Sequence, residues 1–165
     1  MPWTYEIDPA FDPRGEIPPE AVVAGAPCDD EGNIAGPWRQ NPNYRPSVLA
    51  KLLKTLPSDE FLLAFGAYLR GEISTDRFAD VFHQTEFDVL SNDAGSALLL
   101  VEEGSAIAYS LYTSSALLAG QASPSTVQLS GSEIATHSQD CEGLLINRSE
   151  DGALWLPMAE VVRRS

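Results

Sequence analysis

Cysteine, histidine, positive charge and long apolar runs are all scarce in this chain. Its 165 residues hold two cysteines and two histidines. The thiols, Cys28 and Cys141, make no disulfide framework. They read as reduced cysteines of a cytoplasmic protein. Ten Lys and Arg stand against 24 Asp and Glu, a net charge of −14. Nucleic-acid phosphates would repel such a chain, and so would an anionic membrane surface; a protein partner with a basic face would attract it. The longest purely aliphatic run is "ALLLV" at 97–101, so no membrane insertion is expected. The opening "MPWTYEIDPAF" has no basic n-region and no apolar h-region, so no signal peptide is expected.

Recognisable chemistry is equally sparse. Lys51 and Lys54 follow no glycine-rich loop, and neither a G-x-S-x-G elbow nor an H-E-x-x-H pair occurs. The best catalytic candidate is "HSQDC", with His137 four residues before Cys141 and Asp140 beside it. A thiolate–imidazole pair oriented by a carboxylate would be a nucleophile, but only if one helix carried both residues. The strand-like "EGLLIN" follows at once, and a structural thiol with a surface histidine is the better account. "CDDEGN" lacks the alternate oxygens and distant glutamate of a calcium loop, and reads as a polar hairpin tip. No metal, no cofactor and no catalytic residue is expected.

What is present is enough for a core: 44% of the residues are apolar, and the length suits one globular unit. Ten of the twelve prolines fall at or before Pro57. They divide the chain into a Pro-rich N-terminal arm, 1–57, and a body, 58–165. Proline fixes φ and removes a donor, so the arm is expected to hold only short strands and turns. Within it "EAVVAGAPCDDEGNIAGPW" predicts a β-hairpin, and its many aromatic and aliphatic residues predict that the arm wraps the body.

In the body, "DEFLLAFGAYLR" with Ser58 as N-cap and "TDRFADVFHQ" predict two short helices. Strands are predicted at 86–91, 96–101 and 106–112, with turn-like links that favour an antiparallel meander. A helix over 113–121, a strand at 125–129 and a short helix opened by a Ser130/Glu133 capping box follow. Strands at 142–147 and 152–156 precede a final helix from Pro157 through Arg164. The fold class is α+β, with a mostly antiparallel or mixed sheet, short helices and the wrapping arm.

Charge is partitioned. Residues 1–31 carry a net of −7, residues 59–103 a net of −8, and 104–165 a net of −3. Between the first two lies a net of +4 over 32–58, with no acid. This basic island contains "GPWRQNPNYRPS". Two readings of it are open. Trp38 and Tyr44 could pin the arm while Arg39 and Arg45 pair with acidic helices; alternatively, the four residues form a partner-binding surface, since such types are enriched at interfaces. On the acidic body, Asp76 and Asp80 are the candidate partner-binding residues.

The stretch "WTYEIDPAFDPRGEIPPEAVVAGAPCDDEGNIAGPWRQNPNYRPS" resembles the N-terminal region of the type VII secretion system-associated proteins of actinobacteria. "NPNYRPS", Asn41 to Ser47, is the most specific piece. "SLYTSSALLAG" and "GLLINRSEDGALWLP" resemble the SseB-like domain of those proteins. One departure is Arg148, where the family often has proline after the asparagine. The resemblance implies association with a secretion locus and brings no catalytic residue with it. The expected function is therefore that of a non-enzymatic accessory protein. It would bind a secreted substrate or a component of the machine. The alternatives are an immunity protein neutralising a basic toxin, and an enzyme using Cys141 and His137.

Overall fold

A computed structural model describes residues 1–118 and 125–162. It is an α+β fold with two sheets. The first has three antiparallel strands in the order β1 (Trp3–Ile7), β2 (Val22–Pro27) and β3 (Arg39–Gln40). The hairpin read from the sequence is present: β2 and β3 pair, and Cys28 bridges Ile34 around the tip. Asp29 organises that tip by accepting from the amides of Asn33 and Glu31 at 2.8 and 3.1 Å.

The expectation that residues up to Pro57 hold only strands and turns is corrected. Helix α1 spans Val48–Thr55, and its Leu49 and Leu52 are buried in the main core. The proline-free run from Ser47 to Leu56 is long enough for two turns. The Ser47 hydroxyl caps it by accepting from the Ala50 amide at 3.0 Å. Three helices therefore precede the large sheet, since α2 (Glu60–Leu69) and α3 (Thr75–Gln84) follow. The N-cap of α2 is Asp59, whose carboxylate accepts from the Leu62 amide at 2.9 Å, rather than Ser58. A carboxylate there also meets the positive end of the helix dipole, which a hydroxyl does not.

The large sheet runs β7 (Thr126–Ser130), β4 (Glu86–Leu90), β6 (Ala106–Tyr112), β8 (Gly143–Ser149), β9 (Gly152–Pro157), with β5 (Leu100–Glu103) also on β6. It is mixed: β6 and β8 are parallel, and the other pairs are antiparallel. The predicted meander holds for β5 and β6, which pair antiparallel, and is corrected for β4 and β5, whose flanking residues meet only at an isolated bridge between Ser91 and Leu98. Strands β4 and β5 do not lie side by side. Both pair with the same edge of β6, β4 opposite Leu111 and Tyr112, β5 opposite Ala106 to Tyr109. They are collinear, one strand interrupted by an excursion over 91–99. Asn92 closes the excursion, its side-chain oxygen accepting from the Ser96 amide at 2.9 Å. This is why β5 begins four residues later than the sequence predicts.

Phe87, Val89, Tyr109, Leu111, Leu144 and Ile146 face the helices, and Phe61, Phe65, Phe78 and Phe82 of α2 and α3 pack onto them. The rings of Phe61 and Phe87 meet edge to face at 5.1 Å. Helix α4 (Gly131–Ala135) has the capping box expected from Ser130 and Glu133. It starts so close to α3 that a Cβ on Gly131 would lie 1.8 Å from the Phe82 carbonyl oxygen. Only glycine fits there.

Two predicted helices begin as 3-10 turns in the described residues. A 3-10 turn, Ser115–Leu118, replaces the start of the 113–121 helix, whose end falls among residues 119–124, outside the described residues. Another, Met158–Glu160, stands where the final helix was predicted; residues 163–165 lie outside the described residues. Among the described residues, no helix is long and apolar enough to cross a membrane.

Candidate functional site

The basic island divides into a buried buckle and an exposed face. Asp8 is fully buried just after β1. Its carboxylate accepts from the Tyr44 hydroxyl at 2.9 Å, the Ser47 amide at 2.9 Å, the Ser47 hydroxyl at 2.6 Å and the Ala10 amide at 3.0 Å. Burial alone would raise its pKa, but these four donors outweigh that and hold it below the usual carboxylate range. Tyr44 is correspondingly raised, first by burial, then by its bond to Asp8 and the charges of Asp8 and Glu6. Asn41 donates to the carbonyls of Pro19 and Val22 at 3.0 and 2.7 Å. The signature "NPNYRPS" thus spaces three polar side chains that tie the small sheet to the start of α1. Pro42 sits in a turn closed by the Tyr44 amide donating to the Asn41 carbonyl at 3.1 Å, which brings Tyr44 round to Asp8.

Tyr44 is therefore placed in the buckle, not on a surface. Arg45 is exposed, and its backbone amide donates to the Glu20 carbonyl at 2.9 Å. The expected pairing of Arg39 and Arg45 with acidic helices is corrected. Among the described residues, neither makes a salt bridge, whereas Lys51 of the same island pairs with Asp151 at 3.5 Å. Arg39 instead lies over the Trp3 ring, 5.5 Å from its centroid, where the ring's π face attracts the cation.

That contact belongs to the outer face of the small sheet. In register, Tyr5, Gly25 and Arg39 form one row and Trp3 lies opposite Pro27. Directly paired and alternate residues share a face, so Trp3, Tyr5 and Arg39 project together. Trp3 and Tyr5 lie against Gly25, where a Cβ would come within 3.1 Å of the Tyr5 ring and 3.3 Å of the Trp3 ring. Trp3, Tyr5 and Trp38 are 39%, 57% and 45% exposed. Of the arm's aromatic residues, these three are thus left partly in solvent. The alternation in "WTYEI" was the signal for this face. What the sequence could not supply was which side turns outward.

Asp76 and Asp80 lie on α3 and line a different groove, with Ala79, Ala159, Glu160 and Val162. The structure does not bring them to the aromatic face. His137 contacts Asp140 at 3.3 Å, and the Tyr109 hydroxyl donates to the same carboxylate oxygen at 2.8 Å. The Cys141 thiol turns to the Gly143 carbonyl at 3.3 Å. Burial pushes its pKa up, opposite to the shift that makes a thiolate nucleophile. Among the described residues, no three metal-ligating side chains come together.

No family model matches the chain, and no curated protein or solved structure was found similar to it.

Proposed function

We propose that this protein is a non-enzymatic interaction protein of type VII secretion, binding a secreted substrate or a component of the machine through the outer face of its small sheet. The single observation that carries the binding role is the trio Trp3, Tyr5 and Arg39, held side by side in solvent. An exposed tryptophan, tyrosine and arginine are the types that supply most binding energy at protein interfaces. The exposed part of each ring forgoes burial that a partner would recover. The secretion link is supported by the resemblance carried by "NPNYRPS", "SLYTSSALLAG" and "GLLINRSEDGALWLP". Cytoplasmic location is part of the same reading.

The test is affinity capture from the native host with the wild-type chain and with a Trp3→Ser/Tyr5→Ser variant of equal thermal stability. A product of a secretion locus, or its exported substrate, is expected on the wild type and not on the variant. Equal recovery on both would remove the face from the interface. Recovery of a toxin alone would replace the accessory role with an immunity role.

A further inference from the structure

β1 is an edge strand of the small sheet, beside the aromatic face, and its hydrogen-bonding phase can be read from the register. Cys28 donates to the Pro2 carbonyl at 2.8 Å, and Trp3 lies opposite Pro27. In an antiparallel ladder the bonded and non-bonded pairs alternate. Thr4 and Glu6 therefore spend their backbone groups on β2. Pro27 has no amide to give, consistent with its place in a non-bonded pair. The amides and carbonyls of Trp3 and Tyr5 consequently point away from β2. Between β1 and the segment after it lies a cavity of about 370 Å³, lined by residues 3–5 and 7 of β1 with Val22, Pro13 and Ile17. Exposed edges are usually blunted by proline, lysine or a covering loop; β1 itself has neither proline nor lysine.

We infer that β1 accepts an extended partner segment as a fourth, antiparallel strand, with apolar and basic residues alternating along it. Strand addition of this kind gives affinity through main-chain bonds and specificity through alternate side chains. Residues opposite Trp3 and Tyr5 would face the aromatic side and the cavity, so they are apolar. Residues opposite Thr4 and Glu6 would face the other side, next to the exposed Glu6 carboxylate, so they are basic. Charge complementarity selects this occupant. Residues 1–31 carry a net of −7, which attracts a cationic strand. A second copy of the chain would instead bring two such acidic edges together. This inference rests on the proposed role of the outer face as a binding surface.

The probe is a fluorescein-labelled synthetic heptapeptide alternating valine and lysine, read by fluorescence anisotropy and by amide chemical shifts of the protein. Saturable binding with shifts concentrated at residues 3–7 is expected. A valine–glutamate peptide should bind roughly tenfold or more weakly. The main-chain phase gives a sharper readout. N-methylation of the valines removes the amides that meet β1 and should abolish binding, whereas N-methylation of the lysines should leave it. On the protein, Tyr5→Pro deletes an outward amide that β2 does not use. It should lose peptide with little change in melting temperature, since proline is tolerated on that side of an edge strand.

Lack of saturable binding by the valine–lysine peptide, or equal effects of the two methylations, would overturn the inference. So would a concentration-dependent dimer that Tyr5→Pro disperses, since the edge would then belong to a second copy. Capture of a partner that Trp3→Ser abolishes, alongside a negative peptide result, would sink only strand addition and leave the binding face standing.

Discussion

At the scale of single residues, Asp8 decides most. It joins three separated points of the chain, Ala10, Tyr44 and Ser47, through four hydrogen bonds. Tyr44→Phe keeps the ring and removes one charged hydrogen bond, an expected loss of about 1.5–3 kcal/mol, measurable by urea unfolding. The pH dependence has two limbs. Asp8 has a folded pKa below its unfolded value near 3.8. Its contribution is thus full above that value and lost as pH falls through the folded one. Tyr44 and Tyr109 are both raised above their ordinary value of 10.0, chiefly by burial and by Asp8 and Asp140. Their contribution is full below pH 10 and falls as pH rises beyond it. Tyr44→Phe should therefore flatten the alkaline limb of a stability–pH curve, and an unchanged slope would show that Tyr44 does not titrate there. Ser110 offers the opposite case. It is fully buried on β6, and its hydroxyl has no partner among the described residues. Ser110→Ala removes an unsatisfied polar group, so the melting temperature should hold or rise; a fall would reveal a hydrogen bond with an undescribed residue.

At the scale of elements, periodicity and capping were legible where the local signal was strong. Helix α3 matches "TDRFADVFHQ" in both bounds, and β6 matches "AIAYSLY". Helix α1 is masked in the sequence by Pro46 and Pro57 on either side of it, although the run between them is free of proline. The β4–β5 link is opaque for a different reason. Short turn-like links imply neighbouring strands, but the Asn92 turn lets β4 leave the edge of β6 and β5 resume it. The register makes this testable. Leu90 follows the residues opposite Leu111 and Tyr112, and Leu100 lies opposite Tyr109. Excising residues 91–99 would therefore place Leu90 opposite Ser110 and continue the ladder without a shift. A soluble variant with a cooperative melt is expected. An unfolded product would show that Ser91, buried at the mouth of the excursion, anchors the sheet. The buckle was only half legible: the sequence marked "NPNYRPS" as distinctive, but nothing local announced Asp8, 36 residues from Tyr44.

For the whole molecule, the net charge of −14 predisposes every encounter. A basic partner would be steered by it, and steering acts on association more than on dissociation. With the partner recovered by capture, the association rate should fall steeply between low salt and 1 M, where screening shortens to roughly 3 Å. A rate independent of salt would reduce the acidic surface to a solubility device. The buckle also has a consequence in time. Every one of its hydrogen bonds lies within residues 8–50. Chains emerge N-terminus first during synthesis, and folding units close in that order. The small sheet can be latched before any strand of the large one exists. Strand β6, by contrast, waits for β8, its parallel neighbour, which starts only at Gly143. The nascent chain would thus complete the edge proposed to bind while its own main sheet is still incomplete, and such a partner, if made nearby, could be met during translation itself.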